Sequence, residues 1–331
     1  MLNFATIGTG FISEEFWNTA CTNPEYRLYA VYSRDISKAR SVADRFGAIT
    51  IYDDIAAMSR DKNIDCVYIA SPNSLHAAQS ELFLRAGKHV LCEKPLCSNA
   101  AEVRCVTSCA NEYGVFFAEA YKSAYMPGFI AVQSNLHKLG QIRSVFFSFA
   151  KYSSRYDAHK AGADVNTFKA EFSNGGMLDL GVYCLYPMLL LFGKPLGVKA
   201  SAVKIPGGVD GAGFALLDYG SFDACVHYSK VSTSFLPCEI AGEDATMTVD
   251  RLNIPGRIEI KYRNGKTEDI EFDQRQDSMC YEIDAFISAV NEFKRAKHAL
   301  LAFPLPMSLA AAEICDEIRR QTGISYPADA H

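Results

Sequence analysis

The 331-residue chain has a single tryptophan, no CxxC pair and no surplus of positive charge. With 33 Lys and Arg against 38 Asp and Glu, its net charge is -5, which argues against a nucleic-acid footprint or a membrane-surface patch. No stretch approaches the ~18 uninterrupted apolar residues that would span a bilayer. Its start, Met1-Leu2-Asn3-Phe4-Ala5-Thr6-Ile7, has no basic segment and does not read as a signal peptide. Low-complexity linkers and internal repeats are also missing. The eleven cysteines, at 21, 66, 92, 97, 105, 109, 184, 225, 238, 280 and 315, are odd in number and scattered. Reduced thiols in a cytoplasmic protein are expected. Cys105 and Cys109 are one helical turn apart, but with no histidine at ligand spacing they predict a packed helix face, and no metal is expected.

What is present is a globular composition, 49% hydrophobic and 21% charged, long enough for two domains. Over the first ~120 residues strand and helix patterns alternate. Strands are predicted at 4–7, 27–32, 49–52, 66–70, 87–92 and 115–118, with helices over 14–22, 36–46, 75–86 and 100–113. Strand runs apolar on both faces imply a parallel, doubly wound Rossmann sheet. From residue ~123 a helix (128–138), a strand (142–149) and an apolar helix (177–191) precede a series of strands with no helices between them. Those strands, at 198–204, 213–219, 223–229, 234–240, 245–249, 257–262 and 266–272, predict a large, mostly antiparallel open sheet in an α+β domain. Helices over 278–296 and 307–322 close the chain. The expected division is 1-122 and 123-331.

Several segments carry chemistry. Gly8-Thr9-Gly10-Phe11-Ile12-Ser13 follows the first strand and opens a helix, as a dinucleotide-binding turn requires, with Ser13 as the third small residue. The second strand ends at Tyr32-Ser33-Arg34-Asp35, where a hydroxyl and a guanidinium suit a 2′-phosphate, so NADP is expected ahead of NAD. Asp35 keeps NAD open if it turns inward in place of Arg34. Ser71-Pro72-Asn73-Ser74-Leu75-His76 follows the fourth strand and would line the ribose and nicotinamide; it also suits an ordinary helix N-cap. Glu93-Lys94-Pro95 closes the fifth, where a lysine points into the crevice that such sheets use for ligands. In the second half, Asp179 and Tyr183 are four apart on an otherwise apolar helix, opened by Gly175-Gly176.

Together these motifs, with Glu119-Ala120, resemble the NAD(P)-dependent oxidoreductases named after glucose-fructose oxidoreductase, inositol dehydrogenase and MocA, over nearly the whole chain. The resemblance implies a Rossmann domain, an α+β domain whose sheet packs on another subunit, a catalytic lysine at Lys94, and carboxylate and acid/base partners at Asp179 and Tyr183. Tyr183, where many members have His, resembles the dihydrodiol and xylose dehydrogenase branch. Ala124 stands where many members have Arg.

The expected activity is an NADP-dependent hydride transfer at a secondary alcohol or carbonyl of a sugar, cyclic polyol or dihydrodiol-like compound. Tyr183 would be the acid/base, Lys94 would favour the tyrosinate, and Asp179 would orient a substrate hydroxyl or the lysine. Cofactor contacts are expected from Gly8, Thr9, Gly10, Phe11, Ile12, Ser33, Arg34, Ser71, Pro72, Asn73, His76, Glu93 and Lys94. The expected partners are a small-molecule substrate and a second copy in a dimer or tetramer, with no nucleic acid or membrane. Two alternatives stay open: a glycosidase using transient oxidation by a tightly held nicotinamide, and a non-catalytic NADP sensor.

Overall fold

The computed structural model describes residues 1–296 and 305–330. In chain order the first elements are β1 (Leu2–Ile7), α1 (Phe11–Ala20), β2 (Tyr26–Tyr32), α2 (Ile36–Phe46), β3 (Thr50–Tyr52), α3 (Ile55–Ser59), β4 (Cys66–Ile69), α4 (His76–Arg85), β5 (His89–Glu93), α5 (Ala100–Tyr113) and β6 (Phe117–Ala120). Their six strands pair in parallel in the order β3-β2-β1-β4-β5-β6. Every residue of β4, β5 and β6 is buried, as a parallel sheet covered on both faces demands. The expected Rossmann architecture is therefore present.

The next elements are α6 (Pro127–Asn135), β7 (Ile142–Ala150), α7 (Tyr156–Lys160) and α8 (Val182–Phe192). They lead to β8 (Gly197–Ile205), β9 (Val209–Asp218), β10 (Asp223–Ser229), β11 (Cys238–Gly242), β12 (Ala245–Val249), β13 (Ile258–Tyr262) and β14 (Thr267–Ile270). The eight-stranded sheet has the order β14-β13-β12-β11-β7-β10-β9-β8, antiparallel except where β10 runs parallel to β7. One face of its β7–β10 region is packed by α8 and the turn before it. Helices α9 (Cys280–Ala296) and α10 (Leu305–Thr322) follow.

The chain forms two compact units, Met1–Lys122 with Met279–Ser308, and Ser123–Ser278 with Leu309–His331. The sequence assigns α9 to the span 123-331, whereas the helix packs with the first unit. The reason is its apolar face: Met279, Ile283, Phe286, Ile287 and Val290 join Phe4, Phe16, Tyr26 and Tyr68 in one core. There Tyr68 stacks on Phe16 at 3.7 Å between ring centroids, and Phe286 meets Phe4 edge-on at 6.0 Å.

Other departures are local. Helix α1 begins at Phe11 rather than Glu14, immediately after its Gly10 cap. Strand β6 lies two residues later than 115–118 and so includes Glu119, and β11 begins at Cys238 rather than at residue 234. Neither α3 nor α7, five residues each, has enough length for a helical period to show. Cys109 is buried but Cys105 is exposed, so the two do not share a packed face. The run expected as a plain helix from Met177 opens with a π-turn, Met177–Gly181. By length and composition the helical stretch Ala170–Phe192 could cross a membrane, yet 67% of its most apolar window is buried within the protein.

Candidate active site

The parallel pairing of β1 with β4 brings Gly8 beside Ala70. Gly8 has φ +104, and a Cβ there would lie 2.4 Å from the Ala70 carbonyl oxygen, so both conformation and space require glycine. Gly10 differs: it is extended, it caps α1 without a side-chain hydrogen bond, and a Cβ on it would meet nothing within 4 Å. The first turn of α1 thus offers its backbone N–H groups, and the positive end of the helix dipole, to an open space. Thr9 and Ile12 are half-buried, Phe11 is 73% exposed, and Ser13 is fully buried, as the small third position requires.

At the tip of β2, the Asp35 carboxylate caps α2, accepting from Ser37 N (3.0 Å) and Ser37 Oγ (2.5 Å). Those bonds, the Ser37 hydroxyl first, hold its pKa below the usual carboxylate value. Asp35 is therefore committed to the helix and does not turn inward for a ribose. Ser33 Oγ accepts from Asp35 N at 3.2 Å, and Arg34 is exposed.

After β4, Ser71 Oγ donates to Gln79 Oε1 (2.6 Å), and Asn73–Leu75 form one 3-10 turn. Neither Pro72, before the 3-10 turn, nor Leu75, before α4, caps through its side chain. His76 is buried, its Nδ1 2.9 Å from Pro95 O and its Nε2 2.9 Å from Ser71 O. Burial depresses its pKa, the Lys94 charge adds to that, and the two carbonyls oppose it. As a neutral ring it carries one N–H, so it donates to one of these carbonyls while its other nitrogen lies beside the second.

Glu93, the last residue of β5, is buried and accepts from Tyr68 Oη at 2.7 Å. Lys94 follows it, half-buried, with a cis peptide to Pro95. Burial raises the Glu93 pKa, while the Lys94 charge, the Tyr68 bond and Lys122 oppose the rise. Glu282, on the face of α9 that enters the core, is pushed well up, by burial first and then by the Glu93 charge. With two hydrogen-bond donors at Glu93 and an orphaned Oε2 at Glu282, the proton of this pair belongs on Glu282. Glu119 accepts from Leu96 N at 2.8 Å. Ala124 lies half-buried in the turn Lys122–Tyr125.

In the second unit, buried Asp210 accepts from Met177 N at 2.7 Å and caps the π-turn. Cβ atoms at Gly175 and Gly176 would meet Asp210 Oδ1 at 2.1 Å and the Tyr228 ring at 2.9 Å, which explains the glycine pair. The turn carries Asp179, and Tyr183 follows in the first turn of α8, edge-on to Phe149 at 5.4 Å. Asp179 Oδ2 pairs with Lys230 Nζ at 2.8 Å. Lys230 is not among the residues the sequence singled out. Its signal was available, since it follows the strand 223–229 much as Lys94 follows its own. Among the described residues no group of three or more His, Cys, Asp or Glu could hold a metal.

Comparison with known proteins follows this division. The oxidoreductase family with an NAD-binding Rossmann fold (GFO/IDH/MocA) matches residues 2–121, and the GFO/IDH/MocA C-terminal domain matches residues 135–248. The chain is 42% identical over 329 residues, 99% of both chains, to scyllo-inositol 2-dehydrogenase (NADP(+)) IolU of Bacillus subtilis. It is 28% identical over 351 residues, 99% of both, to trans-1,2-dihydrobenzene-1,2-diol dehydrogenase of Mus musculus. Its fold is shared with KijD10, a 3-ketoreductase from Actinomadura kijaniata solved with NADP and TDP-benzene, at a TM-score of 0.85 and 24% identity, covering 98% of this chain and 99% of that one.

The two glycines of the turn should separate by experiment. Gly8→Ala should cost at least ~2 kcal/mol of folding stability, because strain and overlap with backbone add. Gly10→Ala should leave the melting temperature almost unchanged while weakening dinucleotide binding about tenfold or more, a cost of ~1.4 kcal/mol. Chemical denaturation beside cofactor titration checks both, and normal binding by Gly10→Ala would refute the helix N-terminus as the phosphate seat.

Proposed function

Because the chain belongs to the GFO/IDH/MocA oxidoreductase family, we propose that it transfers a hydride between NADP and a secondary alcohol or carbonyl of a sugar or cyclic polyol. The crest of the parallel sheet carries the proposal. Gly8–Gly10, Ser33–Arg34, Ser71–Asn73 and Lys94 all follow the carboxyl ends of strands β1, β2, β4 and β5, where open α/β sheets bind ligands. The residues suit the cofactor: an uncapped helix N-terminus over open space fits a pyrophosphate, and Arg34 beside a committed Asp35 fits a 2′-phosphate rather than a bare ribose.

NADP supplies the hydride chemistry when bound; the chain's own groups position the substrate and move the proton. Tyr183 is assigned as acid/base at the reacting oxygen. Lys94 is the ammonium that bonds that oxygen and favours the tyrosinate, and Asp179 accepts a substrate hydroxyl. Glu93 and His76 act one step back: Glu93 beneath Lys94, and His76 through the carbonyls of Ser71 and Pro95.

A second copy of the chain is the proposed partner of the large sheet. Opposite the face covered by α8, Phe214 and Leu216 are 50% and 52% exposed. His227 stacks on Phe214 at 4.5 Å beside them. Aligned across β9 and β10, with Phe146 of β7 in register with Leu216 through Cys225, these side chains form a surface suited to self-association. A cytoplasmic location is proposed from the eleven free thiols, and cell fractionation tests it.

Arg34→Ala should weaken NADPH binding about tenfold or more, the worth of a charge-assisted contact, and leave NADH nearly unchanged. Equal losses for both cofactors would remove the assignment. Tyr183→Phe should lower kcat by about 10²–10⁴ with little change in NADPH affinity, and Lys94→Met at least as much. Single-turnover absorbance at 340 nm with cyclic polyols and sugars, beside NADPH titration, makes the comparison; near wild-type turnover by Tyr183→Phe would move the acid/base elsewhere. Light scattering at micromolar concentration should give a multimeric mass that Phe214→Glu lowers, and a monomeric wild type would rule out the sheet interface.

A further inference from the structure

Lys230 is sealed inside the second unit, its side chain 3% exposed, immediately after the end of β10. Its backbone is fixed on both sides: Lys230 N donates to Gly211 O at 2.7 Å, and Lys230 O accepts from Ser153 N at 2.8 Å. The ammonium donates to Thr167 O at 3.0 Å and approaches Thr167 Oγ1 at 3.5 Å. Its third partner is Asp179 Oδ2 at 2.8 Å, and the Phe168 ring centroid lies 4.9 Å away. An ammonium has three N–H donors, so these oxygens account for all of them. Asp179 differs in keeping 39% of its side chain exposed.

A buried cation under a part-exposed carboxylate is a costly arrangement if the only purpose is stability, since an apolar side chain would fill the space as well. It does give the carboxylate one fixed orientation. It also ties Asp179 to the turn Asn166–Phe168, by way of the contacts that Lys230 makes to Thr167. We propose that Lys230 is a positioning residue for substrate recognition: it pins Asp179 through Oδ2 and locks the Asn166–Phe168 turn to it, so that carboxylate and turn receive a polyol hydroxyl as one rigid unit. The proposal rests on Asp179 being the acceptor of a substrate hydroxyl, as assigned above. Lys230 touches no reacting atom in this role, because its donors are already used.

The test uses the full-length protein with NADP and scyllo-inositol as the probe, comparing wild type, Lys230→Met, Lys230→Arg, Asp179→Asn and the double variant Lys230→Met/Asp179→Asn. Lys230→Met should raise the probe's KM about 10- to 100-fold, the scale of a hydrogen bond to a charged group, while NADPH affinity stays within about twofold. Lys230→Arg should recover part of the loss, since the charge returns with a different fork. In the Asp179→Asn background, Lys230→Met should add less than about twofold, because the two residues act as one unit. Additive losses, or an unchanged KM in Lys230→Met, overturn the Lys230 proposal, whereas an unchanged KM in Asp179→Asn overturns the role of Asp179 instead. A second arm needs no turnover: hydrogen exchange at the amides of Phe168 and Lys169 should quicken about tenfold or more in both Lys230→Met and Asp179→Asn. If Asp179→Asn leaves that exchange unchanged, the carboxylate and the turn are not coupled and the proposal fails. Should Lys230→Met not fold, Lys230→Arg and Asp179→Asn carry both arms.

Discussion

A charge taken out of water must find a partner, and much of this protein's arrangement follows from that constraint. Lys88 satisfies it by donating to the carbonyls of Asp61 and Ile64 at 2.7 and 2.9 Å. Arg319 satisfies it with Asp316 and Asp329 while lying 4.4 Å over the Tyr326 ring. At the end of β5 the constraint orients the site. Glu93 turns into the core to reach Tyr68, and successive residues of a strand point to opposite faces. Lys94 is therefore delivered to the crest by the burial of its neighbour. Glu282 departs from the rule, with one carboxylate oxygen buried and unbonded. A neutral acid there lets Glu93 keep its charge beside Lys94.

Close approach of backbones is the second theme, and glycine serves it more as an absence of volume than as flexibility. Gly8 lies where a methyl group would strike Ala70 O, and the pair of strands β1 and β4 could not keep its register otherwise. Gly175, Gly176 and Gly181 do the same for the π-turn, which is hemmed in by Asp210, the Tyr228 ring and the Met177 sulfur. Gly181 forces Met177 and Tyr228 to share what a side chain would occupy. A π-turn widens the helix by one residue locally, and this one does so at the residues between Asp179 and Tyr183. The spacing of four that the sequence shows is thus set on a backbone whose register is held from outside by Asp210.

The strand and helix periods of the first ~120 residues were enough to read the parallel sheet, and the glycine turn, the strand-tip arginine and Lys94 could be found by their place in that pattern. Three features could not. The allegiance of α9 to the first unit depends on which core its Phe286 and Ile287 complete, and a helical period does not name its partner. His76 reads either as a cofactor contact or as a satisfied histidine on the first turn of a helix, and the sequence does not name the carbonyls of Ser71 and Pro95 that flank its ring. Asp35 reads as a ribose ligand if it turns inward, yet its carboxylate is taken up as the cap of α2, accepting from Ser37 N and Oγ. The partners that decide these cases are a remote core for α9, backbone carbonyls for His76 and both the amide and the hydroxyl of Ser37 for Asp35.

Lys94 and Lys230, proposed for chemistry and for placement, differ in their surroundings. Lys230 has every donor engaged inside the second unit, on Thr167 and Asp179. Its contribution can only be to hold. Lys94 is half-buried at the crest of the first unit, with a carboxylate as its chain neighbour and a stapled Pro95 carbonyl after it. Catalysis of alcohol oxidation needs both kinds of group, since a hydroxyl must be oriented before its proton and hydride can leave. A single exposed lysine could not do both, because the flexibility that lets an ammonium exchange protons is what makes it a poor fixed post. On the proposed roles, a sealed cation serves placement and a half-buried one serves chemistry, which would give the buried Lys–Asp pair a use that an apolar pair could not supply.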